Sequence, residues 1–128
     1  MMADEYLAQI KAKLISSFAV NSFLIVKEKL LPESGYFRAR LTLSNNDFLE
    51  VVEYFIIQNN QPVTQSYRYQ WMDKTRQHLR KRWDNVEHFP ALSNFPHHVH
   101  VGEESNVEPG YLMNIIELIE LIESEIIR

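Results

Sequence analysis

The chain has 128 residues, a formal net charge of −4 and no cysteine. This length predicts a single domain over residues 1–128 with one core, and the lack of cysteine excludes disulfides, thiolate metal sites and cysteine nucleophiles. Residues 1–13 have no secretory-signal pattern, and no apolar run approaches the roughly 20 residues needed to cross a bilayer. The sequence therefore predicts a soluble cytoplasmic protein that makes no contact with a membrane.

Basic side chains are concentrated in one segment of this acidic chain. Residues 74–82, KTRQHLRKR, contain five basic side chains, one histidine and no acid. A local patch of this kind can bind phosphate, because the Debye length at physiological salt is only about 8–10 Å. The net charge therefore does not exclude a nucleic-acid partner.

The first half of the chain predicts one helix followed by strands. Helical spacing of apolar residues from Tyr6 to Leu14 predicts an N-terminal helix with Asp4 as its cap. Residues 18–29 are apolar and β-branched, which favours a strand. A hairpin turn is predicted at Asn45–Asn46, since asparagine tolerates positive φ. The strands predicted after residue 29 are four: residues 36–44, 48–58, 63–72 and about 78–84.

The second half of the chain predicts a loop, a short extended segment and a closing helix. Residues 85–96 contain two X-Pro pairs and no periodicity, which indicates an irregular loop. Residues 109–128 have the apolar stripe of an amphipathic helix. Leu118, Leu121 and Ile127 fall outside that stripe, and this surplus suggests a homodimer through the helix. The predicted fold class is α+β, an antiparallel β-meander of about four to five strands flanked by an N-terminal and a C-terminal helix.

A polar face is predicted on the last two long strands. An even-numbered turn between them would bring three aromatic rings onto the same face as the basic row. That face would comprise Tyr67, Tyr69, Trp71, Arg80, Arg82 and Asp84. Rings that alternate with guanidinium groups stack on bases, at about 1–3 kcal/mol per base, and hold phosphates. An odd-numbered turn would instead place the basic row beside Arg68 and Gln70, and a solvated structural ladder is the competing interpretation.

Three histidines lie within the stretch FPHHVH, residues 95–100. In an extended segment His98 and His100 point to one side and His97 to the other. A His-x-His pair has metal-ligand spacing, and His88 or Asp84 could supply a third ligand, although nothing in the spacing requires either of them.

The same histidines also fit two other interpretations. Histidine titrates near neutrality, so a pair of histidines can remove and supply protons while an arginine stabilises the charge that develops on a phosphate. Cleavage of RNA through its own 2′-hydroxyl needs no metal in such a mechanism. The third interpretation is structural, because a histidine after a proline-rich loop often binds backbone carbonyls or packs against aromatic rings.

An ordered set of short motifs carries a family resemblance. These motifs are YRYQW at 67–71, RWDN at 82–85, His88 and FPHHVH at 95–100. Together they resemble the TumE-type toxins of bacterial toxin–antitoxin operons, and the resemblance extends from the hairpin RARLTLSNNDFLEVVEY to the C-terminal helix. It implies a small cytoplasmic toxin whose partner is an antitoxin encoded beside it.

The leading hypothesis is a toxin-like protein that acts on RNA as a metal-independent endoribonuclease, with no cofactor. The predicted catalytic residues are His97, His98, His100, His88, Arg82 and Asp84. The predicted substrate-binding residues are Tyr67, Arg68, Tyr69, Trp71 and Arg80. The alternative is a non-catalytic module that binds a protein partner such as an antitoxin, and the third hypothesis is a metal-dependent hydrolase.

Overall fold

The computed structural model describes residues 1–126, so the helix position predicted at Ile127 lies outside the described residues. Within them the chain forms two helices and seven strands. The elements are α1 (Ala3–Ser16), β1 (Val20–Leu31), β2 (Ser34–Leu43), β3 (Phe48–Gln58), β4 (Gln61–Met72), β5 (Leu79–Asp84), β6 (His98–Val101), β7 (Val107–Pro109) and α2 (Ile115–Glu125). None of the helices in this part of the chain is long and apolar enough to span a membrane.

The strands form one antiparallel sheet in which each strand pairs with the next in chain order, from β1 to β7. The α+β class and the antiparallel meander between two helices are therefore confirmed. The predicted number of four to five strands was wrong, because β6 and β7 extend the sheet beyond β5. With three residues, β7 is too short for period-two alternation to reveal it.

Both helices pack against one face of the sheet. Alternating burial along β2 and β3 places Phe37 and Phe55 on that face, where both are fully buried. The ring of Tyr6 in α1 meets the ring of Phe55 edge-on, with 4.6 Å between centroids. Among residues 1–126 no helix covers the opposite face of the sheet, which carries polar side chains on β4 to β6.

A buried carboxylate joins the two helices to this face. Glu53 is fully buried and accepts hydrogen bonds from Tyr6 Oη at 2.7 Å, Thr64 Oγ1 at 3.1 Å and the backbone N–H of Ile115 at 2.9 Å. Burial raises the pKa of Glu53, and the three donors only partly offset this. Glu53 thus holds α1, β4 and the start of α2 to one point of β3.

The helix boundaries differ from the predicted ones. Asp4 lies in the first turn of α1 instead of capping it. The C-terminal helix begins at Ile115 instead of Pro109, because Asn114 accepts a hydrogen bond from the N–H of Glu117 in a capping box. Leu118, which suggested a dimer, is fully buried within the chain. The apolar surplus on α2 is therefore largely covered within the protein, and the homodimer stays a prediction.

Candidate active site on the open face of the sheet

A β-bulge in β5 decides which side chains meet on the open face. Met72 pairs with Leu79, as an even-numbered turn requires, but the next pair is Trp71 with Lys81. The extra residue is Arg80, and it reverses the parity of the rest of β5. Its guanidinium Nε lies 2.6 Å from the buried carboxylate of Asp47 in the β2–β3 turn. Arg80 is therefore held at the turn, away from the histidines.

The prediction that the three aromatic rings share a face with the basic row was wrong, because the bulge moves the basic row to the open face while the rings lie on the helix-covered face. Tyr67, Tyr69 and Trp71 are at most 6% exposed. The hydroxyl of Tyr69 donates to the carbonyl of Met113 at 2.9 Å, and the indole N–H of Trp71 donates to Asp47 at 2.9 Å. Rings buried in this way support the core and offer no surface to a base.

The open face carries two cross-strand rows of polar side chains instead. Directly opposite residues of paired strands share a face. The first row runs across β4, β5 and β6 as Arg68, Asp84 and His98, and the second runs as Gln70, Arg82 and His100. The structure thus brings five of the predicted site residues together: Arg68, Arg82, Asp84, His98 and His100. Arg82 lies beside Arg68 and Gln70, which is the arrangement predicted for an odd-numbered turn.

The loop between β5 and β6 closes over these rows and turns them into a cleft of about 400 Å³. The ring of Phe89 stands edge-on to His98 and His100, with centroids 5.2 and 6.1 Å away. The cleft is lined by Arg68, Arg82, Asp84, Val86, His88, Phe89, His98, His100 and Glu104. His88 therefore belongs to the cleft, as predicted, and reaches it from the loop.

His98 and His100 are buried, and each is bound to a backbone carbonyl through Nδ1. His98 Nδ1 lies 3.0 Å from the carbonyl oxygen of Pro96, and His100 Nδ1 lies 2.8 Å from that of Glu104. Because a carbonyl oxygen can only accept, each Nδ1 carries the proton. In a neutral ring this leaves the Nε2 lone pair free. One ring nitrogen of each histidine lies within 4.8 Å of a carboxylate oxygen of Asp84, and for His98 the Nε2 atom is 3.0 Å from Oδ1.

The contact between His98 and Asp84 is close but is not a hydrogen bond. His98 Nε2 lies 3.0 Å from Asp84 Oδ1. The two atoms are not aligned for donation, so Nε2 remains one of three buried side-chain nitrogens in residues 1–126 without a hydrogen-bond partner. The same Oδ1 accepts the N–H of Val86 at 3.0 Å, which fixes the carboxylate in this position.

Arg82 is held in the cleft by two acids. Its guanidinium makes a two-pronged ion pair with the carboxylate of Glu104, and its Nε lies 3.5 Å from Asp84 Oδ2. The pairing with Glu104 raises the pKa of Arg82, and Arg82 in turn lowers the pKa of Glu104. Arg82 is largely buried whereas Glu104 is two-thirds exposed, so an incoming anion could replace Glu104 without moving Arg82.

The chain matches one family model over nearly its whole length. The family model described as Toxin TumE matches residues 8–128. The chain belongs to the TumE toxin family. No curated protein and no solved structure matches it significantly. Membership makes it a toxin of the toxin–antitoxin type, with an antitoxin as its partner.

His97 lies outside the cleft of this TumE family member, although it was predicted to be catalytic. Its ring stacks on that of Tyr67, with 5.9 Å between centroids, and its Nδ1 lies 2.9 Å from the Tyr67 hydroxyl. Burial, followed by the neighbouring His98, lowers the pKa of His97. His97 thus corresponds to the structural interpretation of the histidines.

Three residues of the TumE-family cleft, Val86, Phe89 and Glu104, were not predicted as site residues. Phe89 faces the histidines from an irregular loop, where no periodicity fixes the direction of a side chain. Glu104 binds Arg82 with its carboxylate and His100 with its carbonyl. Glu104 follows His100 by four residues, and Gly102 lies between them with φ +79°. The glycine was the sequence signal for a turn that brings Glu104 back beside His100.

Proposed function

We propose that this toxin cleaves RNA in the cleft around Asp84. The observation that carries the proposal is the convergence of two arginines, three histidines and one aspartate on the open face of the sheet, under a loop that partly shields them. Arginine binds phosphate through paired N–H groups, and histidine and aspartate are the groups most used in proton transfer and metal-assisted hydrolysis. This combination fits a phosphodiester substrate.

Arg82 and Arg68 take the role of phosphate binding in this proposal. Arg82 is the better placed of the two, since it is mostly buried, its position is fixed by Asp84, and its partner Glu104 is exposed. Arg68 lines the same cleft and donates to Gln70. A phosphate that displaces Glu104 from Arg82 would lie next to the Nε2 atoms of His98 and His100.

Cleavage then proceeds by attack of the ribose 2′-oxygen on phosphorus. The 2′-hydroxyl proton passes to a base, the bond from phosphorus to the 5′-oxygen breaks, and that oxygen takes up a proton as it leaves. The products are a 2′,3′-cyclic phosphate and a free 5′-hydroxyl. The predicted metal-independent mechanism would use the imidazoles of His98 and His100 as base and acid, whereas a metal-dependent mechanism would use the same atoms as ligands.

The first experiment is cleavage of an end-labelled, mixed-sequence RNA by the purified full chain. Wild type, Asp84→Asn and His100→Asn would be compared, each alone, with EDTA and after addition of Zn²⁺ in excess of EDTA. His97→Asn is the matched control, because it removes a neighbouring histidine that lies outside the cleft. Cleavage by wild type and His97→Asn but not by the two cleft variants would support the proposal. No cleavage by wild type under any condition would overturn it.

A second candidate function is binding of the antitoxin without catalysis. The observation that favours it is the edge strand β1, whose outer side exposes Leu24, Val26, Leu30 and Leu31. An uncovered apolar edge of this kind pairs readily with another strand. If wild type is inactive on RNA but co-purifies with the product of a neighbouring gene, and Leu24→Lys abolishes this, the second function takes precedence.

A further inference from the structure

We propose that Asp84, His98 and His100 are the protein ligands of a divalent transition-metal ion, with Zn²⁺ as the best-fitting probe. This proposal competes with the hypothesis of a metal-independent enzyme without a cofactor. The part the ion plays in RNA cleavage rests on the proposed function, but the binding site itself rests on the geometry of three side chains.

The separation of His98 and Asp84 suits a shared ion, and His100 lies close to both. One ligand atom from each of Asp84, His98 and His100 lies within 4.8 Å of the other two, and all three residues are buried. Zn²⁺ holds imidazole nitrogen and carboxylate oxygen at about 2.0–2.2 Å, so two ligands at right angles or at the tetrahedral angle are about 3.0–3.5 Å apart. The 3.0 Å between His98 Nε2 and Asp84 Oδ1 falls within that spacing.

The backbone also selects the tautomer that binds a metal. Metal-binding histidines usually donate their second N–H to a carbonyl or carboxylate, which fixes the ring and directs the other nitrogen at the ion. Here the carbonyls of Pro96 and Glu104 take the Nδ1 protons of His98 and His100. Both Nε2 lone pairs are consequently available to an ion, and that of His98 lies 3.0 Å from Asp84 Oδ1.

The unpartnered Nε2 of His98 is the observation that points to a ligand. His98 is 2% exposed, and its Nε2 has no hydrogen-bond partner although a carboxylate oxygen lies 3.0 Å away. A buried polar atom without a partner costs about 1–3 kcal/mol, and the proximity of the Nε2 lone pair to a carboxylate oxygen adds repulsion. A cation between the two atoms removes both costs.

The neighbouring charges are compatible with a cation. Arg82 lies 3.5 Å from Asp84 Oδ2 and would oppose it, but the guanidinium is neutralised by its ion pair with Glu104. The N–H of Val86 uses one lone pair of Asp84 Oδ1 and orients the carboxylate from behind, as an outer-shell donor does. The cluster Asp84, His98 and His100 thus presents one negative charge and two imidazoles.

The ligand set identifies the class of ion. Two imidazoles and one carboxylate suit Zn²⁺ and other first-row transition metals, whereas Mg²⁺ and Ca²⁺ prefer oxygen ligands throughout. Three protein ligands with the remaining position open are typical of catalytic zinc sites, in which the metal carries a water or a substrate oxygen. The open position here would face the cleft that Arg82 and His88 line.

The test is calorimetric titration of Zn²⁺ into the chelator-treated full chain, in the absence of RNA. We expect one ion per chain and a rise in melting temperature with Zn²⁺. Asp84→Asn and His100→Asn should each weaken binding by at least about tenfold, since even outer-shell substitutions cost 10–100-fold. His97→Asn and His78→Asn are the controls, and both should bind as wild type does.

A measurement on wild type guards against variants that fail to fold. In ¹⁵N-resolved imidazole spectra, Zn²⁺ should shift the Nε2 signals of His98 and His100 and leave His97 and His78 unchanged. Absence of saturable binding would overturn the inference, as would Zn²⁺ binding that the two cleft variants retain at wild-type affinity. Uniform broadening of all five histidines, which indicates scattered surface binding, would also overturn it.

The outcomes separate this inference from the proposed function. Zn²⁺ binding without RNA cleavage would keep the metal site and reject the ribonuclease. Cleavage that survives EDTA, in a chain that binds no Zn²⁺, would keep the ribonuclease and reject the metal site. Cleavage abolished by EDTA and restored by Zn²⁺, with both effects lost in Asp84→Asn, would support both.

Discussion

Glu104 makes two contacts in the cleft, and a single substitution can remove one of them while the other stays. Its carbonyl holds His100, and its carboxylate neutralises Arg82. Glu104→Gln removes the negative charge and leaves the carbonyl in place. Because an exposed ion pair is worth about 0–1 kcal/mol, releasing Arg82 should raise affinity for a labelled RNA oligonucleotide by up to about fivefold, measured by fluorescence anisotropy.

The control for this prediction is Glu103→Gln. It changes the net charge equally, but the carboxylate of Glu103 accepts from Ser105 instead of Arg82. If Glu103→Gln tightened RNA binding as much as Glu104→Gln, the gain would come from overall charge and the role assigned to Arg82 would be incorrect.

At the residue scale, the alternation of side chains along a strand predicted part of the site and could not predict the rest. The opposite directions of His97 and His98 follow from period two, and the structure agrees. That Asp84 stands beside His98 depends on the register between β5 and β6, which a 13-residue loop leaves undetermined. The sequence therefore left Asp84 and His88 as equal candidates for a third ligand, and only the paired strands favour Asp84.

At the scale of elements, the bulge at Arg80 explains the main error. Met72 pairs with Leu79 as an even-numbered turn requires, and the parity changes only one residue later. The bulge coincides with an ion pair between Arg80 and Asp47, which are 33 residues apart in the chain. A contact so distant in sequence leaves no local pattern, whereas the β2–β3 hairpin, with Asn46 at φ 71°, was visible from alternation and its turn.

The carboxylate of Glu53, which joins three elements, predicts a pH dependence of stability. Its pKa in the folded chain is raised above its ordinary value of 4.5 by burial. The contribution of Glu53 is therefore complete below pH 4.5 and declines as pH rises towards the folded pKa, because the unfolded chain ionises first. Relative to Glu53→Gln, wild type should lose stability over this range, by at most about 1.4 kcal/mol per pH unit.

Glu50 gives the opposite sign and serves as the control. Burial opposes ionisation of Glu50, but hydrogen bonds and charge from Arg40 and Arg38 outweigh it, so its pKa is lowered. Its stabilisation is present above pH 4.5 and is lost as pH falls through the folded pKa. Urea unfolding of both variants and wild type across this range measures the two slopes. Equal slopes for the Glu53→Gln and Glu50→Gln differences would contradict the prediction.

At the scale of the whole molecule, an acidic protein with a small cationic cleft should bind RNA with weak salt dependence. For a single-stranded nucleic acid, the logarithm of the binding constant falls with the logarithm of the salt concentration, with a slope of about −0.7 per phosphate contact. Two contacts, to Arg68 and Arg82, predict a slope of about −1.4, and Arg82→Gln should reduce it to about −0.7. Anisotropy titrations over a range of salt concentrations measure it. A slope steeper than about −4 would indicate a binding surface much larger than this cleft.

The chain order of the sheet has a consequence for how the toxin is made. Each strand pairs with the one before it, so the sheet can grow from β1 as the polypeptide leaves the ribosome, with few distant pairings to wait for. The strands that carry Arg68, Arg82 and Asp84 leave the ribosome before the strand that carries His98 and His100. A nascent chain therefore has the phosphate-binding side of the cleft but none of its histidines on β6. On this view the protein becomes harmful to its cell only late in synthesis, after β6 has joined the sheet and α2 has reached Glu53.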